Sequence, residues 1–212
     1  MRARITFTKT GPLRYIGHLD LQTLWERAAR RAGLPIAYSH GFHPQPKITF
    51  AAALPLGFSS RAEVMDVRLL SDIELGTLPQ RLAEALPAGI AVLDVKQVDD
   101  GAPALQTQVR SAEYEVTVNE PVDAALLEKR IAELLQAETL PRVRRDKPYD
   151  LRPLLEMLSL AQDQAAGDGS RKILMRLSAR EAATGRPEEV LRALGIEPNG
   201  TRIERTRLIF VE

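Results

Sequence analysis

The chain has 212 residues, of which 44% are hydrophobic and 27% are charged, and its formal net charge at pH 7 is +1. This is the composition of an ordinary globular protein, long enough for one large domain or two domains of about 100 residues each. The absence of cysteine excludes disulfides, thiolate zinc sites, iron–sulfur ligation and a cysteine nucleophile.

Charge is distributed unevenly along the chain. Residues 1–60 carry a net charge of +6, residues 61–140 of −8 and residues 141–212 of +3. A basic patch binds polyanions such as RNA even when the whole protein is nearly neutral, and the alternative is charge scattered over solvated surfaces. The chain has no apolar signal-peptide region and no apolar run approaching the roughly 18 residues of a membrane span, so we expect a cytoplasmic protein without a membrane segment.

Hydrophobic periodicity predicts alternating strands and helices in the first half of the chain. Period-two alternation indicates strands, and apolar residues three and four apart indicate helices. Gly33 is expected just after the end of the first helix. In chain order the predicted elements are a strand at 2–9, a helix at 18–32, strands at 34–39, 48–54 and 63–70, a helix at 74–86 and a strand at 90–98.

The same order of elements recurs after an acidic linker. The linker, DDGAPALQ at residues 99–106, contains Gly and Pro and has no periodicity. The elements predicted after it are a strand at 109–118, a helix at 122–136, two strands meeting at a basic turn within 139–160, a strand at 171–179, a helix at 186–194 and a strand at 202–211.

This order predicts an α+β protein of two tandem ferredoxin-like (βαββαβ) domains with antiparallel sheets. The N-terminal domain would span residues 1–98 and carry the motifs described below, and the C-terminal domain would span residues 107–212. A sheet covered by helices on one face leaves the other face for a second domain, RNA or a small molecule. Aromatic residues are only 5% of the chain, which favours backbone contact by basic residues over base stacking.

A first candidate site lies where the first predicted helix begins, in GHLDLQTLWERAARRAG. His18 stands at the start of this helix, and Asp20 follows in its first turn, where a carboxylate also suits the helix dipole without any further role. Arg27 and Arg31 have no carboxylate at helical spacing to pair with. These two arginines are therefore either phosphate contacts or part of a solvated face.

A second candidate site is the stretch SHGFHPQPK, which contains two of the three histidines. Pro44 and Pro46 fix two φ angles and remove two backbone donors, and Gly41 permits a sharp turn, so we expect a stiff, bent loop. A stiff loop loses little entropy on binding, which suits ligand contacts. The residues expected to project from this loop are His40, His43 and Lys47.

The histidines suggest two chemistries. Metal binding would require His18 to meet His40 or His43 and Asp20 in space, but no metal-ligand spacing and no thiolate is present, so no metal is assigned. Acid–base catalysis on RNA would use His18, oriented by Asp20, with Lys47 or Arg14 holding the phosphate. A structural or non-catalytic binding role remains the other interpretation, and His18 and Asp20 are the only catalytic candidates.

A third candidate site is the basic turn in LPRVRRDKPYDLRP. An exposed basic hairpin is suited to following a nucleic-acid backbone, and the alternative is a solvated turn whose bases pair locally with Asp146 and Asp150. The bases of this turn are Arg142, Arg144, Arg145 and Lys147. Elsewhere there is no phosphate-binding glycine loop, no G-x-S-x-G elbow and no evident carboxylate pair, so no cofactor is expected and binding is favoured over catalysis.

The N-terminal motifs resemble those of the radical SAM-linked protein family. The family pattern runs R-F/Y-L/I-G/S-H-L-D, R-A-x-R-R-A-G-L-P, S-x-G-F-N/H-P-x-P-K and L-P-L-G, and this chain has RYIGHLD, RAARRAGLP, SHGFHPQPK and LPLG. The resemblance is specific over residues 9–66, and past residue 100 it rests on YDLRPLL and RPEEVLRALG. The matching positions include Arg14, Tyr15, His18, Leu19, Asp20, Arg30, Arg31, Ser39, Gly41, Phe42, Pro44, Pro46 and Lys47.

The resemblance implies a bacterial protein that occurs beside, or fused to, a radical SAM protein, in a family of unknown function. The radical SAM cluster needs cysteines and would therefore lie in the partner. In relatives the neighbouring genes often include an RNase of the E/G type and ribosomal proteins, which points towards RNA or ribosome maturation. Paired ferredoxin-like domains are also similar to CRISPR RNA-processing endonucleases, by fold analogy alone. His43 stands where many relatives carry Asn, which favours His18 over His43.

Three functions follow as expectations. The first is an accessory protein to a radical SAM enzyme, which binds RNA or presents an RNA or ribosomal substrate through a basic cleft. The second is a histidine-dependent RNA-processing or RNA-modifying enzyme, and the third is a protein–protein adaptor that does not bind RNA. The residues expected to contact RNA or the partner are Arg14, Tyr15, His18, Arg27, Arg31, Ser39, His40, Phe42, His43, Lys47, Arg142, Arg144, Arg145 and Lys147.

Overall fold

The structure is a computed structural model, and it describes residues 1–144, 146–161 and 170–211. The chain is a mixed α+β protein that divides into two compact units, Met1–Val109 with Val211 and Arg110–Phe210. Within the described ranges, no helix combines the length and the apolar character needed to cross a membrane.

Unit 1 is an antiparallel sheet with two helices. Its elements are β1 (Arg2–Lys9), α1 (His18–Arg31), β2 (Ile48–Phe50), β3 (Ser59–Arg68), α2 (Leu78–Ala85) and β4 (Val92–Val98). The strands lie in the order β4–β1–β3–β2, and each of these pairings is antiparallel. Strand β1 is therefore central, with β3 on one side and β4 on the other.

The core of unit 1 follows from the alternation of β1 and the apolar stripe of α1. Ile5 and Phe7 point into the core on one face of β1, and Leu21 and Trp25 enter it from α1. The rings of Phe7 and Trp25 meet edge to face with their centroids 4.7 Å apart. Burying each large apolar side chain of this kind stabilises the fold by about 1.5–3 kcal/mol, so this contact fixes α1 on the sheet.

A buried ion cluster joins β1 to β3. Register places Arg4 opposite Asp66, whose carboxylate is only 4% exposed. Arg2 Nε donates to Asp66 Oδ2 over 2.8 Å, and Arg4 Nε donates to Asp66 Oδ1 over 2.8 Å. A buried carboxylate is tolerated because both oxygens receive charge-assisted hydrogen bonds.

Unit 2 repeats the combination of antiparallel sheet and helices, with an added hairpin. Its elements are β5 (Val109–Val118), α3 (Ala124–Gln136), β6 (Pro141–Arg144), β7 (Lys147–Asp150), β8 (Leu155–Leu160), β9 (Arg171–Arg180), β10 (Ala183–Thr184), α4 (Pro187–Ala193) and β11 (Thr201–Phe210). The strand order is β11–β5–β9, and β8 and β10 both pair with β9. Strands β6 and β7 form a separate two-stranded ribbon.

Alternation also builds the core of unit 2. Val116 of β5 and Ile173 of β9 are opposite each other in the register and fully buried, and Leu127 and Ile131 of α3 are buried as well. Helix α3 begins at a side-chain cap, because Asp123 Oδ1 accepts a hydrogen bond from the backbone N–H of Ala125 over 2.9 Å. The cap satisfies a donor that has no partner within the helix.

The main departure from the sequence prediction is the expected strand at 34–39, which is wrong. That stretch forms only two isolated bridges, Ile36 with Leu69 and Tyr38 with Pro46. The physical reason at the first bridge is proline: Leu70 N–H bonds to the Pro35 carbonyl, but Pro35 has no N–H to donate back to Leu70, so the ladder stops there. The prediction that Gly33 follows the end of the first helix is confirmed, since Gly33 lies just after α1 with φ at +65°.

Candidate functional site

The start of α1 is positioned by a short 3-10 turn, Gly11–Tyr15, with proline in its first turn. The backbone carbonyl of Arg14 accepts a hydrogen bond from Gly57 N over 2.8 Å, which ties this turn to the LPLG loop. The buried Lys9 donates from Nζ to the carbonyl of Ile16 over 3.0 Å. The Gly57–Arg14 bond brings RYIGHLD and LPLG together, although they lie some forty residues apart in the sequence, and the Lys9 bond holds the segment between the turn and α1.

Arg14 and Tyr15 form a stacked pair beside this turn. The guanidinium carbon of Arg14 lies 4.6 Å from the centroid of the Tyr15 ring, and Nη2 donates to the Tyr15 hydroxyl. The Tyr15 side chain is 61% exposed despite this contact. An arginine stacked on an exposed aromatic ring presents a cation and a flat apolar surface at the same place.

His18, the first residue of α1, packs against an aromatic ring. Its centroid lies 5.1 Å from that of Phe50, at an interplanar angle of 69°. Phe50 in turn contacts Phe7, so His18 caps the aromatic cluster of the core of unit 1. Because His18 is exposed on its other side, this ring is both a structural contact and part of the surface.

Asp20 does not orient His18. Its Oδ2 atom lies beside Gly17, 3.5 Å from the position that a Cβ would take there. Residues two apart on a helix point in different directions, and no hydrogen bond between Asp20 and His18 occurs among the described residues. The position in the first turn of α1 is that of a carboxylate interacting with the helix dipole.

The His/Pro loop is pinned at its base by backbone hydrogen bonds. Ser39 N donates to Gln45 O over 2.8 Å, and Gln45 N donates to Ser39 Oγ over 2.9 Å. His40, Phe42 and His43 lie at the tip between these two residues and are exposed. Ser39 therefore holds the loop closed, while the Phe42 ring stands fully in solvent.

The loop and His18 contact different parts of α1. Tyr38, at the base of the loop, donates its hydroxyl to Glu26 over 3.1 Å, whereas His18 contacts Phe50. Glu26 lies eight residues after His18, about 12 Å along the helix axis. No side-chain contact among the described residues joins His18 to His40, His43 or Lys47, so the contacts do not gather the histidines.

The arginines of α1 differ in their surroundings. Arg31 lies near α2, with Nη1 3.5 Å from the carbonyl of Ala85. Arg27 is exposed and makes no side-chain bond with any other described residue. Lys47 is exposed, and its backbone N–H bonds to the carbonyl of Ala37. Arg27 and Lys47 are accessible to an anion, whereas one guanidinium nitrogen of Arg31 already bonds to the Ala85 carbonyl.

The basic turn of unit 2 is the two-stranded ribbon β6–β7. Arg142 pairs with Tyr149, and Arg144 pairs with Lys147, across the ribbon. Asp146, in the turn, has φ at +61°, a left-handed conformation that aspartate tolerates. Arg145, also predicted as a site residue, lies outside the described residues.

No cluster of three or more His, Asp or Glu side chains with metal-binding geometry occurs in the part of the chain that the structure describes.

The structure adds residues that sequence patterns did not single out as a surface. Leu19 is 76% exposed and Leu56 is 65% exposed; Leu56 is next to Gly57 in the chain, and Leu19 lies four residues after Tyr15. In the sequence, Leu19 falls outside the helical spacing of apolar residues that begins at Leu21. This spacing was the signal from which the exposure of Leu19 could have been predicted. We call Tyr15, Leu19 and Leu56 the apolar patch.

A family model described as "Uncharacterized protein conserved in bacteria (DUF2344)" matches residues 2–187. The chain belongs to this family. The match includes all of the elements that build the apolar patch and the β6–β7 ribbon. No curated protein matches the DUF2344 chain.

One solved structure shows a likeness of fold to this chain. One chain in the crystal structure of a Cbf5–Nop10–Gar1 complex is similar with a TM-score of 0.52 and 11% identity, covering 97% of this chain and 48% of that chain. A chain in the crystal structure of the archaeal box H/ACA sRNP Nop10–Cbf5 complex is similar with a TM-score of 0.48 and 10% identity, covering 97% and 47%. The DUF2344 chain thus spans about half the length of those chains.

Proposed function

We propose that this DUF2344 protein is a non-catalytic accessory protein that docks onto a radical SAM enzyme through the apolar patch of unit 1 and presents RNA to it. The observation that carries the proposal is the exposure of Tyr15, Leu19 and Leu56, because Tyr15 and Leu56 adjoin the hydrogen-bonded residues Arg14 and Gly57. Contiguous exposed apolar side chains on a soluble surface mark interaction sites. The radical SAM enzyme enters through the motif resemblance, and the proposal places the complex in the cytoplasm.

The chemistry of the apolar patch favours a protein partner at this surface. Two of its three members are leucines, which offer no flat face for stacking bases, whereas interface cores combine aliphatic side chains with aromatic rings and arginine. The Arg14–Tyr15 stack supplies the arginine and the ring. RNA is therefore assigned to basic residues elsewhere rather than to this patch.

A binding role is also favoured by the surroundings of the histidine. A general base needs a group that orients it, and His18 contacts the Phe50 ring while Asp20 turns towards Gly17. Histidine in this position contributes packing and part of a contact surface. The DUF2344 chain thus supplies surfaces, and the reaction belongs to the partner.

We also infer that each unit has a ferredoxin-like fold. Unit 1 runs β1–α1–β2–β3–α2–β4 with strand order β4–β1–β3–β2. Unit 2 runs β5–α3–β8–β9–α4–β11 with β11–β5–β9–β8, once the β6–β7 ribbon and β10 are treated as additions. Both orders are those expected when two βαβ halves interleave in one antiparallel sheet.

The test is binding between the purified chain and the radical SAM protein encoded beside it. Leu19→Asp and Leu56→Asp are expected to weaken binding by more than about tenfold each, because each places a charge in a desolvated contact. Leu70→Asp is the matched control, since Leu70 is a leucine of unit 1 that is 75% exposed and lies outside the patch. Equal losses from all three variants, or no binding by the natural chain, would overturn the proposal.

A further inference from the structure

The β6–β7 ribbon places three cations on one face. In an antiparallel ribbon, directly opposite residues point to the same side, and residues two apart along a strand share a side as well. The pairs Arg142 with Tyr149 and Arg144 with Lys147 lie two residues apart on both strands. Their four side chains therefore share one face, which we call the cationic face.

The cationic face places like charges opposite each other, which destabilises the ribbon when no ligand is bound. Arg144 and Lys147 face each other directly next to the turn, and like charges in that position destabilise a strand pair. Both side chains are exposed, and neither bonds or pairs with another described residue. A bound anion between them would remove the repulsion, so the arrangement is suited to a ligand that carries negative charge.

The base of the ribbon is held firmly. Asp150 Oδ1 accepts hydrogen bonds from Leu140 N over 2.7 Å and from Arg152 N over 2.9 Å. Arg152 in turn donates to three backbone carbonyls, among them that of Leu135 over 2.8 Å. Arg152 is thus a structural residue, and the ribbon projects its cations from a fixed base with little loss of entropy on binding.

Further charged groups surround Tyr149. Burial and the nearby Glu189 carboxylate raise the pKa of the Tyr149 phenol, while Arg142, Arg144 and Arg186 act in the opposite direction. Tyr149 is therefore neutral at pH 7 and keeps its hydroxyl hydrogen as a donor. Among the acidic residues near this surface, Glu189 is paired with Arg192, and Asp146 lies in the turn itself. That pairing leaves the cations as the dominant charge of the cationic face.

We propose that the cationic face of the β6–β7 ribbon binds the phosphodiester backbone of a nucleic-acid strand. Arg142, Arg144 and Lys147 contact phosphate oxygens, and the Tyr149 hydroxyl donates to a further oxygen or its ring lies against a sugar or base. These contacts position a strand without reading its sequence. The inference rests on the proposed function only in naming RNA as the source of the backbone, because the ribbon lies in unit 2 and the apolar patch lies in unit 1.

The experiment measures the fluorescence anisotropy of short labelled RNA and DNA strands of matched sequence over a series of salt concentrations, with the full chain and no partner. Three phosphate contacts predict a slope of log K against log salt of about −2 for a single strand. Arg144→Ala with Lys147→Ala is expected to reduce the slope to about −0.7 and to weaken binding about 25-fold at about 0.1 M salt. Both substitutions are at exposed positions and leave the core untouched.

Lys129→Ala is the matched control, since Lys129 is an exposed lysine of α3 in the same unit, close only to Glu133. It should change neither slope nor affinity. Absence of binding, a slope near zero, or equal losses from Lys129→Ala and the double variant would overturn the inference. Tighter binding of RNA than of DNA identifies RNA as the source, and equal binding identifies the shared backbone. The leucine variants of the apolar patch are expected to bind RNA normally, so the two proposals fail separately.

Discussion

The His18 ring packs edge-on against the ring of Phe50, with their centroids 5.1 Å apart. This contact joins the start of α1 to the strand that follows the His/Pro loop. It accounts for a histidine at this position without invoking catalysis, because the ring extends the Phe7–Trp25 aromatic cluster to the surface. The first prediction tests this interpretation directly.

Removing the His18 ring should cost stability rather than a chemical step. We expect His18→Ala to lower the free energy of unfolding by about 1 kcal/mol, the size of an aromatic pair contact, and His18→Phe to retain most of it. Urea unfolding measures both. His43→Ala, at the exposed loop tip, is the control and should change stability by less than about 0.5 kcal/mol. An unchanged stability for His18→Ala together with loss of an RNA-directed activity would instead favour catalysis.

Neutralising Asp66 should be among the single substitutions that lower the free energy of unfolding most in unit 1. Asp66→Asn leaves Arg2 and Arg4 without their buried counter-charge, which we expect to cost about 3–5 kcal/mol. Asp100→Asn is the control: its carboxylate is 56% exposed and pairs with Arg68, so its loss should cost no more than about 1 kcal/mol. Thermal unfolding compares the two, and similar losses would contradict the assignment of the cluster.

Asp150 should make the stability of the base of the ribbon depend on pH in the acidic range. Hydrogen bonds from the backbone N–H groups of Leu140 and Arg152 lower the pKa of Asp150 from its ordinary 3.8. The contribution of the carboxylate is therefore fully present above that value and is lost as pH falls through the lower folded pKa. The stability difference between the natural chain and Asp150→Asn should shrink from pH 6 towards pH 3. Urea unfolding over that range measures it, and a constant difference would contradict the prediction.

Gly89 should tolerate no side chain. Its φ is +101°, and a Cβ there would lie 2.7 Å from the carbonyl oxygen of Thr10. We expect Gly89→Ala to cost about 1–3 kcal/mol through backbone strain and displacement of the Thr10 turn. Gly76→Ala is the matched control, because the position is open and has no positive φ. Its effect should stay within about 0.5 kcal/mol, as differential scanning calorimetry would show.

Secondary structure was predicted most reliably where the hydrophobic periodicity of the sequence is strong. The predicted strand at 2–9 and the strand at 109–118 have the same limits in the structure. Two strands do meet at the basic turn, as β6 and β7, but the stretch 139–160 also forms a third strand, β8, that was not predicted. Helix α2 begins at Leu78 rather than at 74, because Pro79 belongs in a first helical turn and the residues before it form a 3-10 turn. Patterns fail where proline or a short polar stretch decides the backbone.

The residues of the candidate site likewise divide into those that the sequence indicated and those that it did not. The sequence indicated Arg14, Tyr15 and the basic turn as contact residues, and the structure leaves Tyr15 and the described bases of that turn accessible. It did not indicate Leu56 as surface or Asp66 as the partner of two arginines, since both facts depend on contacts between residues distant in the chain. The pairing of Tyr149 with Arg142 could have been predicted from the sequence, by counting residues outward from the turn along both strands.

By itself the sequence determined most of the strands and helices, because local periodicity and turn residues act over a few positions. It also determined which segments carry positive charge. Only the tertiary structure decided that His18 meets Phe50, that Gly57 bonds to Arg14, and that Asp66 pairs with Arg2 and Arg4. Those relationships depend on register and long-range packing, and a shift of one residue in either would reverse them.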